Sequence, residues 1–191
     1  MCLRRLSRDA LFNLHEIALD GNFVHRITTF PDLEIFLYNP QLLSTFKNLV
    51  CTCETCLPVI QLLYDTTFNM GDFYLSVLLY RHTEFNESPV IPLAFFVHER
   101  KLLATHTSFF TFMKSACPEL SISTQLIMVT DNEQAIRRSL NTVIPELRTF
   151  LCWNHVLQVC FNMCNVRSRD QVKFFINVYV IHGLDIEFSA G

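Results

Sequence analysis

Three strand-like runs follow one another with only short turns between them, and then the hydrophobic period changes. Val59–Thr66, Phe73–His82 and Val90–Val97 are each dense in apolar, branched or aromatic residues. Asn69-Met70-Gly71-Asp72 and the polar stretch Glu84–Ser88 separate them as turns. Successive strands joined this way make an antiparallel meander. After residue 100 the spacing becomes helical, with Leu102, Leu103, His106, Phe109, Phe110 and Met113 on one face. Gln125–Val129 then reads as a strand, Glu133–Asn141 as a short helix and Leu147–Trp153 as a strand. Asn154–Cys164 reads as a helix with Leu157, Cys160 and Cys164 on one side.

The order β-β-β-α-β-α-β-α specifies an α/β domain, a mixed sheet with helices on both faces. It is the topology of the ribonuclease H-like fold, and it occupies about 58–165. Residues 1–57 read as an N-terminal adapter of helices and short strands. Ser7 caps a first helix carrying Ala10, Leu11, Leu14, Ile17 and Ala18, which Asp20-Gly21 stops. Phe23–Thr29 and Leu33–Tyr38 are short strands around Pro31-Asp32. Asn39 caps a second helix with Pro40 at its first position, and Leu42, Leu43, Phe46, Leu49 and Val50 form its apolar stripe. Residues 166–191 are a C-terminal tail of unassigned structure.

Composition closes off several classes. Half of the 191 residues are hydrophobic, enough for a full core and against intrinsic disorder. Charged residues are 17%, below the roughly 25% usual for a soluble domain, which points to extra buried surface or to a piece of something larger. A net charge of −3 counts against a freestanding, charge-driven nucleic-acid binder. The longest purely apolar run, Val90–Val97, falls far short of the roughly 20 residues a spanning helix needs. Arg4, Arg5 and Arg8 are followed by Asp9, His15, Glu16 and Asp20, so no signal-peptide core follows them. Without such a signal, the eight cysteines read as reduced thiols, and the expected location is nuclear or cytoplasmic.

Two aspartates stand out against this frame. Asp65 follows the first core strand and Asp131 follows the fourth. In the expected topology these strands are parallel neighbours, so both side chains emerge at one carboxyl edge, where α/β sheets place their ligand sites. Two close carboxylates repel unless a cation lies between them, and Mg²⁺ is the natural oxygen-seeking ion. A pair of such ions activates a nucleophile and stabilises a leaving oxygen in phosphodiester transfer. The structural alternative is that Asp65 opens a turn and Asp131 caps a helix beginning at Asn132.

Four blocks in order carry a family resemblance. Tyr64-Asp65-Thr66-Thr67-Phe68-Asn69-Met70-Gly71-Asp72-Phe73-Tyr74 resembles the first catalytic block of Mutator-like (MULE-type) transposases, closest to a Kolobok-like or domesticated branch. Arg81-His82, Ser88-Pro89-Val90-Ile91-Pro92 and His98-Glu99-Arg100-Lys101 resemble that branch's next segments. Val129-Thr130-Asp131-Asn132-Glu133 resembles its second catalytic block, and Cys152-Trp153-Asn154-His155 its C-x-x-H motif. The resemblance implies a ribonuclease H-like fold, DNA as partner, and Mg²⁺ or Mn²⁺ held by three acidic residues for DNA cleavage and strand transfer. Asp65 and Asp131 match the first two. The third, a Glu on a helix well downstream of C-x-x-H, has no clear counterpart: Asp170, Asp185 and Glu187 are the acidic residues there, in text that does not read as that helix. The chain therefore reads as a truncated or host-captured copy, inactive alone, with a non-catalytic DNA- or protein-interaction module as the alternative.

The cysteines offer zinc as a further alternative. Cys53 and Cys56 have C-x-x-C spacing beside Cys51, but no second pair follows at finger distance. Cys152 and His155, with Cys160 and Cys164, would complete a Cys3His set. Free or buried thiols explain the same residues. His82, His98 and His106 read as hydrogen-bonded groups in or near the core. Cysteine-protease chemistry needs a Cys at a helix N-terminus beside a His, and the spacing singles out no such pair. A phosphate loop is excluded, because no G-x-x-x-x-G-K occurs.

Overall fold

The structure, a computed structural model, describes residues 21–52, 59–69, 71–82, 85 and 87–152, together with Asn13, Glu16 and Ala18. Those three are helical, as the first expected helix requires; the rest of that helix lies outside the described residues. So do the expected helix over 154–164 and the tail 166–191. The chain divides into two compact units, residues 1–150 and 151–191.

Seven strands and four helices are described: β1 (Val24–Thr28), β2 (Glu34–Leu37), α1 (Pro40–Thr52), β3 (Ile60–Asn69), β4 (Tyr74–Arg81), β5 (Val90–His98), α2 (Leu103–Ala116), α3 (Glu119–Ile122), β6 (Leu126–Thr130), α4 (Gln134–Val143) and β7 (Arg148–Leu151). They form an α/β structure around one mixed sheet of order β1-β2-β5-β4-β3-β6-β7. β3, β4 and β5 are the antiparallel meander, and β6 returns parallel to β3. The two early strands also join this sheet, β2 pairing antiparallel with β5 from Glu34↔His98 to Leu37↔Phe95.

Strand ends differ from the sequence reading by a few residues. The largest change is in β3, which runs on to Asn69 through Asp65-Thr66-Thr67, because β4 keeps pairing with it as far as Tyr74. The turn falls at Gly71, within the expected Asn69-Met70-Gly71-Asp72 stretch, and its φ of +78° is a left-handed conformation that glycine adopts without a Cβ clash.

Alternation along the strands decides where the core lies. Leu62 and Tyr64 of β3, Leu78 and Tyr80 of β4, Phe96 of β5 and Met128 of β6 are all buried on one face. The helices cover that face. α1 starts as the sequence dictates: Asn39 Oδ1 accepts the N–H groups of Gln41 (2.8 Å) and Leu42 (3.3 Å), with Pro40 at the first helical position. It buries Leu43, Phe46, Leu49 and Val50, and Phe46 meets the Tyr80 ring at 5.0 Å. α2 buries Thr105, His106, Phe109, Phe110 and Met113. Leu102 and Leu103, expected on this buried face, are 51% and 43% exposed; Leu102 is the N-cap residue and Leu103 the first residue of the helix. Pro118 follows the Cys117 cap and starts the short turn α3, which the period count had not separated.

Candidate functional site

β6 stops before β3 does. Their parallel ladder runs from Ile60↔Leu126 to Tyr64↔Thr130, and β3 then continues beside β4. Asp65 is thus the first β3 residue beyond the ladder, and Asp131 the first residue beyond β6. Parallel neighbours lie about 4.8 Å apart, so the two backbones meet at one carboxyl edge. Asp65 does not open a turn; it sits within β3 opposite Val77, on the face opposite the buried Tyr64.

Asp131 does engage the following helix, though not as a cap of a helix starting at Asn132. Its Oδ1 accepts the Glu133 N–H at 3.0 Å, and α4 begins at Gln134 with Glu133 extended at the N-cap. This bond fixes the carboxylate at the strand end and commits only one of its oxygens.

It also brings a third carboxylate to the edge. Glu133 titrates above the usual carboxylate range, because it is partly desolvated and because Asp131 and, less strongly, Asp65 repel its charge; Lys101 opposes both. The sequence reading passed over Glu133. The signal was the Asp-x-Glu spacing directly after an apolar strand, which a capping turn folds back on itself. Lys101 brings a cation to the same rim, its Nζ 4.8 Å from the Tyr74 ring centroid.

Behind the carboxylates, on the helix side of the sheet, lies a buried polar layer. His98 Nδ1 is 2.8 Å from the Arg100 carbonyl, which only accepts, so Nδ1 carries the proton. His98 Nε2 is then an acceptor, and the Ser76 hydroxyl donates to it at 2.8 Å. Thr66 Oγ1 must in turn donate to Ser76 Oγ at 2.7 Å. Beside this chain, Tyr64 OH meets His106 Nδ1 at 3.0 Å, and His106 Nε2 faces Glu133 Oε1 at 3.6 Å. His98 and His106 are fully buried. Burial first, and Lys101 beside it, lower His98 to about 4; burial, His98 and Lys101 lower His106 to about 3. Both are neutral near pH 7. Burial pushes the Tyr64 phenol far above its ordinary range, and the three carboxylates add to this, so it keeps its proton near pH 7.

The sequence of these edges has a family counterpart. The family model of the MULE transposase domain matches residues 61–159, more than half of the chain. The chain belongs to the MULE transposase domain family. The match starts within β3, takes in both aspartates and reaches past Cys152-Trp153-Asn154-His155. No curated protein matches the chain.

Other expected features of a MULE domain are placed only in part. Cys152 is half-buried, while His155, Cys160 and Cys164 lie outside the described residues. Cys51 is exposed, and Cys53 and Cys56 also lie outside. Cys117 is buried and its thiol is pushed up to about 12 by burial and by Glu119, so it is no nucleophile. Among the described residues, no group of three or more His, Cys, Asp or Glu is arranged to hold a metal ion, and no helix is long and apolar enough to cross a membrane.

Proposed function

We propose that residues 58–165 form a ribonuclease H-like transposase core whose ancestral chemistry is metal-dependent DNA cleavage and strand transfer. The observation that carries this is the ladder ending at Tyr64↔Thr130, with an aspartate directly after each partner. The strand order β5-β4-β3-β6-β7, with β3 parallel to β6, supports the fold reading.

The donor chemistry fits a hard divalent cation. Asp65 and Asp131 offer carboxylate oxygens at one edge, the donor type such a cation takes. Mg²⁺ or Mn²⁺ supplies Lewis-acid polarisation of a phosphoryl oxygen when bound. The chain's own residues do the rest: β3 and β6 hold the two carboxylates in register, and the Asp131–Glu133 turn orients one of them. DNA is the partner the family implies. At −3 net charge, the affinity of the isolated chain for DNA is expected to be weak and salt-sensitive. A nuclear or cytoplasmic location is in keeping with that partner.

The 191-residue chain is read as inactive alone, since two aspartates and water are an incomplete cage. Incubation with supercoiled plasmid and Mn²⁺ should give no nicking. Nicking that vanishes in both Asp65→Ala and Asp131→Ala would show a working enzyme. Titration calorimetry with Mn²⁺ tests the site directly. Wild type should bind weakly, and Asp65→Asn and Asp131→Asn should each abolish the heat. Equal heats in all three proteins would place no cation at these positions.

A further inference from the structure

Phe30 is 85% exposed, more than any other large hydrophobic side chain among the described residues. Its loop is nevertheless fixed. The Leu33 N–H donates to Glu99 Oε2 at 2.8 Å, and the Glu99 N–H donates to the Leu33 carbonyl at 3.2 Å. Arg100 Nε holds Asp32 Oδ1 at 3.2 Å. The connection 29–33 between β1 and β2 is thereby tied to the segment that follows β5, and it presents an apolar ring to water.

The loop also lies at a defined end of the sheet. Glu34 of β2 pairs with His98 of β5, His98 pairs with Tyr74 of β4, and Tyr74 pairs with Asn69 of β3. That is the end toward which β3 and β6 both run. Lys101 follows Arg100 there. It is exposed, its Nζ stands 4.8 Å from the Tyr74 ring centroid, and among the described residues no carboxylate lies within ion-pair distance of it. A presented aromatic face beside a cation with no carboxylate partner is how single-stranded nucleic-acid sites are built: bases stack on the ring while positive groups follow the backbone.

We propose that Phe30 is a stacking platform for an unpaired base of DNA, with Lys101 on a neighbouring phosphate. The inference rests on reading DNA as the partner, and it adds the form of DNA that this end of the sheet takes, a strand with unpaired bases. In a duplex each base is already stacked on its neighbours, so the ring has no free face to meet. Every base has such a face, so the contact is tolerant of sequence. The ties through Glu99 and Arg100 matter because a ring already held in place loses little freedom on binding.

The test is fluorescence anisotropy on the full chain at low salt, with a labelled oligothymidylate and a labelled duplex as probes. Melting curves control for folding, and Phe30→Ala, at so exposed a side chain, should melt like wild type. It should weaken oligothymidylate binding by about tenfold or more and leave duplex binding unchanged. Phe30→Trp should restore the affinity, since it keeps a stacking face. Lys101→Gln should lower the slope of log affinity against log salt by about 0.7, one phosphate contact on a single strand, whereas the Phe30 variants should leave that slope alone. Equal oligothymidylate affinity in wild type and Phe30→Ala would overturn the proposal and leave DNA standing as the partner. Failure of wild type to bind either probe would overturn the DNA reading and this proposal with it.

Discussion

Acidification from pH 6.5 to 4 is expected to strip the chain of most of its stability, through two buried histidines. Unfolded, His98 and His106 take up protons near pH 6.5. Folded, burial holds them to about 4 and about 3. Between these values the unfolded state binds more protons, so stability falls as pH falls. Each histidine contributes a slope of about 1.4 kcal/mol per pH unit in that window. Two together amount to about 7 kcal/mol between pH 6.5 and 4, a large share of a typical stability of roughly 5–15 kcal/mol. The groups facing them set the sign and trim the size. Lys101 opposes protonation of both, and the Arg100 carbonyl favours it at His98. Glu133 beside His106 has a raised folded value, so it gains a proton sooner when folded and offsets part of the loss. Urea titrations at half-unit pH steps would show this as a midpoint dropping steadily below pH 6.5. His98→Gln and His106→Gln should each remove about half of the slope, whatever they do to stability at pH 7. A flat midpoint between pH 6.5 and 4.5 would mean that neither histidine is sequestered.

Phe109→Ala is expected to cost about 3–5 kcal/mol, the range for emptying a buried aromatic site. The ring is fully buried and lies against four others: Phe36 at 6.4 Å, Tyr64 at 5.2 Å, Phe96 at 5.0 Å and Phe110 at 5.4 Å. Those partners sit on β2, β5, β3 and α2 itself. The cavity would therefore open where the early strands, the meander and the main helix meet, and rigid strands on one side cannot collapse into it. Tyr64 is one of the partners, so the loss should reach the His106 hydrogen bond as well. Ile122→Ala, at a side chain 71% exposed, should stay within about 0.5 kcal/mol and serves as the reference. Urea midpoints with equal slopes would measure both. A Phe109→Ala cost near that of Ile122→Ala would show that the aromatic cluster is not the centre of the core.

Local physics wrote much of this protein into its sequence. Asn39-Pro40 starts α1 because a side-chain oxygen and a fixed φ suffice, and both act within four residues. The meander is legible because β-rich runs separated by turn residues leave few other pairings. Asp131 is legible as a strand-end residue for the same reason, whereas Asp65 lies within the longer β3. The sequence left open what depends on distant partners. β3 outlasts its apolar run because β4 continues to pair with it. Leu102 and Leu103 keep the helical period yet stay exposed, since period alone does not say where a helix meets the sheet. The early strands joined the same sheet through β5, a hydrogen-bonded pairing about 60 residues apart in sequence that no local pattern encodes. Glu133 was read as part of a motif and a helix start. Only the Asp131 turn and the arrival of His106 from α2 gave it its surroundings, because contacts and charge interactions depend on distance in space and not on separation along the chain.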